Sequence, residues 1–139
     1  MGCRMPSAGL LELPPPVREP LEKAALPRGL SARARAYVQG LLGEDDLYVA
    51  VRSRTAVDVG SWLGGRRVVV CALKGALVLA AHGPRPYAER APYAALRESQ
   101  YNHVTGELVL GPAPDAAVRR LRMAPLDGYQ VLAQIYCEE

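Results

Sequence analysis

The longest apolar stretch of the chain runs from Val68 to Ala81 and is broken only at Lys74-Gly75. Val68 to Leu73 and Ala76 to Ala81 have strand composition, and Gly75 can take the positive φ of a tight turn, so the stretch predicts a β-hairpin. Upstream, from Leu47 to about Arg54, Leu47, Val49 and Val51 alternate with Tyr48, Ala50 and Arg52, the period of a half-buried strand. Helical spacing appears twice. Ala34, Tyr37, Val38, Leu41 and Leu42 share one face of a helix predicted from Ser31, a good N-cap, to Leu42, with Gly43 as its stop. Leu126, Tyr129, Leu132, Ala133 and Tyr136 form a stripe, widened by Val131 and Ile135, on a helix predicted from Pro125 to Tyr136. Asp127 falls in its first turn, where a carboxylate suits the positive end of the helix dipole.

The remaining patterns are weaker. Val104 to Leu110 predicts a strand, with Thr105-Gly106 suited to a turn before Glu107. Val118 to Met123 predicts another, whose apolar residues fall out of phase unless there is a bulge or an end effect at Val118. His82 to Pro92, with its glycine and prolines, reads as an irregular connection. Tyr93 to Asn102 suits a short helix by propensity, yet a strand over Ala95 to Tyr101 is preferred because it fills a place between two hairpins. Thr55 to Gly65 reads as a short strand ending in a loop that carries Trp62, or as a single long hairpin connection. Residues 1–19 are proline-rich and aperiodic and predict a flexible arm, whose Leu10, Leu11 and Leu13 are candidates for a partner surface. The expected organisation is therefore an arm over 1–19, a helical segment over 20–43 in which Pro20 to Leu26 forms a helical turn or two, and a β domain over 44–139.

Length and composition add limits. A chain of 139 residues, half of them apolar, has room for one domain with a core. No apolar run reaches the ~18 residues of a membrane span, and the N-terminal stretch is unlike a secretory signal, so a cytoplasmic location is expected, with peripheral membrane contact as an alternative. Pro6 stands where an N-myristoylation pattern wants Ser or Thr. Cys3, Cys71 and Cys137 are widely spaced and suggest neither a metal site nor a disulfide framework; Cys71 reads as a buried thiol. Between Arg52 and Arg122 there are eleven Arg or Lys against five Asp or Glu, a modest basic bias. His82 and His103 fall in predicted loops, where His103 could meet Glu107 only across a turn, and Ser61 and Ser99 lack a nucleophile context, so neither a catalytic constellation nor a cofactor site is expected. Nucleic acid is a weaker partner class, since no recognised binding motif accompanies the basic residues.

An antiparallel run of about six or seven strands closed by one helix resembles the pleckstrin-homology (PH) superfold. More narrowly it is similar to the bacterial PH-like domains in the stretches GLLGEDDLYVAV, RRVVVCALKGALVLAA, PYAALRESQ, TGELVLG and PLDGYQVLAQI, and the resemblance covers Leu41 to Tyr136. The absence of phenylalanine and the arm with its long N-terminal helix depart from that pattern. The resemblance implies a mainly β, α+β fold: a PH-like barrel, or two packed sheets, capped by the C-terminal helix, with an additional N-terminal helix. It also implies a non-catalytic binding or scaffold module, joining protein partners or copies of itself through an exposed strand edge or a groove beside the last helix. Tyr37, Leu41 and the arm leucines are the candidate partner surface. The alternative is a phosphoinositide, anionic-lipid or phosphate ligand held near the first two strands by Arg52, Arg54, Arg66 and Arg67, with Lys74 and Trp62 in support.

Overall fold

The computed structural model describes residues 13–22, 25–56, 66–112 and 118–137. Helix α1 spans Ala32–Leu42, and the Ser31 Oγ accepts a hydrogen bond from the Ala34 amide at 3.1 Å, the N-cap that the sequence predicts. Strand β1 is Leu47–Arg52, β2 is Val69–Leu73, β3 is Ala76–Ala81 and β4 is Tyr87–Pro92. These four form one antiparallel sheet in chain order. A 3-10 turn at Tyr93–Leu96 leads to β5, Gln100–Asn102, then β6, Glu107–Val109, and β7, Arg120–Arg122, which form a second antiparallel sheet of three strands. Helix α2, Pro125–Cys137, closes the chain.

The hairpin β2–β3 is the centre of this arrangement, with Gly75 at φ +81° in its turn. Every residue of both strands is buried, because each face of the four-stranded sheet is covered. On one face Val68, Val70, Ala72, Leu77 and Leu79 pack with Leu108, Leu121, Leu132 and Ile135 of the second sheet and α2. On the other, Val69, Cys71, Leu73, Val78 and Ala80 pack with Leu26, Val38 and Leu42 beneath α1. A strand sandwiched in this way reads as continuous apolar sequence, whereas a strand with one wet face alternates. Helix α1 is thus part of the domain core.

The structure corrects the sequence expectations in several places. No closed barrel forms among the described residues: the sheets are separate, and β1 touches β7 through one backbone bond, from the Arg54 amide to the Arg122 carbonyl at 2.7 Å. Leu47 does not share a face with Val49 and Val51. The β1–β2 register shifts between Leu47 and Val49, so Leu47 faces α1 while Val49 and Val51 face α2 and the second sheet. The stretch expected to be an irregular connection contains β4, an edge strand whose Ala88, Arg90 and Pro92 point to solvent; an outward proline is tolerated at an edge because no ladder bond is lost there. Ala95 to Tyr101 is not one strand, since Tyr93–Leu96 turns and only Gln100–Asn102 pairs. Leu21 is extended and forms an isolated bridge with Leu47, and the helical turn expected over Pro20 to Leu26 is confined to the residues after it, where the Ala25 amide donates to the Glu22 carbonyl at 2.8 Å.

Candidate functional site

Two regions contain the candidate residues. The first is the end of the larger sheet where β1 leaves and β2 begins. Ser53, fully buried, organises it: its amide donates to the Val68 carbonyl at 2.8 Å, its hydroxyl accepts from the Val68 amide at 2.9 Å and donates to the Thr55 carbonyl at 2.9 Å, and its carbonyl accepts from Arg67 Nε at 2.9 Å. Arg52 Nη1 reaches the Gly29 carbonyl at 3.3 Å, while the Arg66 guanidinium lies on Gly83 and donates to the Arg85 carbonyl. Arg54 is exposed near the phenol of Tyr101. These arginines share one end of the sheet but are aimed at different carbonyls, so they do not converge on one pocket. Burial, and secondarily the like charge of Arg67, lowers the Arg52 pKa from its ordinary value. Arg52 Nε and Arg66 Nη2 are buried without a hydrogen-bond partner among the described residues. Lys74 sits in the β2–β3 turn at the opposite end of the sheet, since Val69 pairs with Arg52 and Leu73 with Leu47. Trp62 lies outside the described residues.

The second region is the outer edge of β1. Within the sheet β1 pairs with β2, and among the described residues its other side is held at two points, by the Leu21 amide donating to the Leu47 carbonyl at 2.5 Å and by the Arg54–Arg122 bond. Between those points no further backbone hydrogen bond reaches the outer edge among the described residues. The edge opens instead into a cavity of about 250 Å³, floored by Tyr48, Ala50 and the flanking Val49 and Val51. Val17 of the arm and Leu21 just beyond it form one wall, and Asp127 and Gln130 of α2 form the other.

The arm is what completes this groove. Leu13, a candidate partner residue, is only 2 % exposed and lies in the core with α2, and Val17 packs against the same cluster. Gln134 Nε2 donates to the Val17 carbonyl at 3.3 Å, fixing the arm to the helix. Leu10 and Leu11 lie outside the described residues. Of the α1 candidates, Tyr37 is half-buried, its hydroxyl donating to the Tyr87 carbonyl at 3.4 Å and its ring 5.6 Å from that of His82, and Leu41 is 36 % exposed. Neither borders the groove. Sequence reasoning missed Asp127 and Gln130 as groove residues, and nothing in their spacing announces a wall built jointly with residues more than a hundred positions away.

No group of three or more His, Cys, Asp or Glu is placed to hold a metal ion among the described residues. No family model matches this chain, and neither a curated protein nor a solved structure matches it.

Proposed function

We propose that this chain is a non-catalytic, PH-like interaction module that takes an extended segment of a protein partner along the outer edge of β1. The order of the elements supports the PH-like part of this reading: four antiparallel strands, then three, then one helix laid against both. The observation that carries the binding part is the unpaired stretch of β1 between Leu47 and Arg54, which adjoins a cavity with an apolar floor. An unpaired edge supplies backbone donors and acceptors to an added strand, and a cavity beside it receives one side chain in two. Asp127 on the rim favours a segment carrying a basic residue next to its apolar anchor. Panning the full chain against a library of displayed peptides should enrich sequences that alternate an apolar with a polar or basic residue. Gln130→Trp, which places a large ring on the cavity wall, should abolish their binding. A library that yields no enriched peptide, or peptides indifferent to Gln130→Trp, overturns the reading.

A second reading rests on the two orphaned guanidinium nitrogens. Each buried donor without a partner among the described residues favours an anion at its own arginine, Arg52 or Arg66, with Arg67 adding positive charge nearby. It predicts sedimentation with vesicles containing phosphatidylglycerol that is lost on changing Arg66 and Arg67 to Glu. No binding of the unaltered protein to such vesicles, or to inorganic phosphate, removes it.

A further inference from the structure

The four-stranded sheet has a second edge, β4, which unlike β1 is not walled at its ends among the described residues. The Tyr93 amide donates to the Gly75 carbonyl at 3.0 Å, and Ala91, Glu89 and Tyr87 continue that pairing opposite Leu77, Leu79 and Ala81. In an antiparallel ladder such pairs alternate with pairs whose N–H and C=O groups point away from the neighbouring strand. Ala88 and Arg90, opposite Ala80 and Val78, therefore turn their backbone groups outward, and no backbone hydrogen bond from outside the sheet reaches them among the described residues. Pro92 also faces out but has no N–H, and Pro86 precedes the strand, so prolines bracket the free run.

Charged side chains usually blunt a free edge. Here they are engaged within the chain: Arg90 Nη1 lies 3.1 Å from Asp45 Oδ2, and the Tyr87 hydroxyl donates to Glu89 Oε2. Ala88, between Tyr87 and Glu89, is small and exposed. The edge fits a copy of itself best in one antiparallel register. Centred on Glu89 or on Arg90, two copies would set like charges face to face. Centred on Tyr87 or Ala91, each outward amide that pairs meets a proline, which has no N–H to return, and fewer bonds form. Centred on Ala88, the two Ala88 residues exchange both N–H···O=C bonds, each Arg90 amide faces the Pro86 carbonyl of the other copy, and Tyr87 lies opposite Glu89.

We propose that two copies of this chain pair through β4 about a two-fold axis at Ala88, joining their four-stranded sheets into one. The same edge serves both copies, so the assembly closes at the dimer. The β1 edge does not allow this, because Leu21 and Arg122 stand outside its two ends and the β1 of a second copy is recessed in the same way. Strands β1 and β4 are opposite edges of the sheet, so the dimer leaves both grooves open and the inference is independent of the peptide reading.

Sedimentation velocity of the full chain at about 1–500 µM, which brackets the weak association of a small interface, should show a concentration-dependent dimer and nothing larger. Ala88→Pro removes an outward N–H without touching a β3–β4 bond, so it should weaken the dimer at least tenfold and leave the urea midpoint of dilute protein unchanged. Because Ala88 meets only itself, Ala88→Lys and Ala88→Glu should each weaken the dimer at least tenfold. An equimolar mixture of those two variants should associate at least tenfold more tightly than either alone. Should Ala88→Pro fail to fold, the charge variants still decide, since their side chains point to solvent. A chain that stays monomeric at the highest concentration, a dimer indifferent to these variants, or charge variants that mixing does not rescue would each overturn the pairing. None of these readouts involves Gln130 or a bound peptide, so a missing dimer leaves the groove reading standing, and a failed peptide screen leaves the dimer standing.

Discussion

Tyr101 and Gly128 show how closely single residues are fitted. The Tyr101 hydroxyl donates to the Met123 carbonyl at 2.8 Å, its ring meets Tyr129 edge-on with centroids 5.2 Å apart, and a β-carbon built on Gly128 would lie 2.3 Å from Tyr101 Cδ1. Replacing a helical glycine by alanine ordinarily gains about 1 kcal/mol. Here the ring cannot retreat without losing its bond, and overpacking of this kind costs about 1–3 kcal/mol. Gly128→Ala should therefore destabilise the fold by about 1 kcal/mol or more in urea unfolding; a gain in stability would mean that the ring moves freely. Burial raises the phenol pKa of Tyr87, Tyr101 and Tyr136, with the Glu89 carboxylate adding to the effect at Tyr87, and it raises Cys71 as well. Each group is an acid whose neutral form the folded state prefers. The stability linked to Cys71 is whole below its unfolded value of 9.0, and that linked to the tyrosines below 10.0; both are lost as pH climbs from there towards the folded values. Urea midpoints should hold level from pH 7 to 8.5 and fall above 9, with a shallower alkaline fall in Tyr101→Phe. Ser53, by contrast, could not have been singled out from sequence, because a serine among SRT looks like surface until its hydroxyl is seen bonded to Val68.

At the scale of elements, the apolar pattern made the β2–β3 hairpin and both helices legible, with Ser31 and Gly43 marking the bounds of α1. What it could not convey was phase and partner. One extra residue at the Leu47–Val49 register shift sends Leu47 to α1 and Val49 to the opposite face, although all three apolar residues keep an unbroken alternation in the sequence. Strand β4 was hidden because an edge strand with one wet side carries Arg90 and ends in Pro92, the signs of a loop. Helix α1 was readable as a helix, but not as the cover of Cys71. That cover is testable: Leu42, 1 % exposed, anchors α1, and Leu42→Ala should cost about 2–5 kcal/mol. It should also speed the reaction of Cys71 with Ellman's reagent under native conditions at least tenfold; unchanged reactivity would mean that α1 does not seal that face.

For the whole molecule, the two sheets and α2 form a frame that the arm completes. Leu13 enters the core, Val17 is held by Gln134 and Leu21 bridges to Leu47, so a segment that reads as a proline-rich tail walls one side of the groove. The site was illegible for that reason. Its floor, one wall and the other wall come from β1, residues 17–21 and residues 127–130, and only the fold brings them together. The arginines were conspicuous in the sequence because charge is visible without a fold, but Arg52, Arg66 and Arg67 largely tie loops to neighbouring carbonyls. The proposed working surface is the edge of β1. Hydrogen exchange of the full chain, with and without a peptide enriched by panning, tests it most directly. Exchange should slow at Tyr48 to Arg52 with no change at Arg66, Arg67 or Arg85, and protection confined to those arginines with β1 unaffected would contradict binding at the β1 edge.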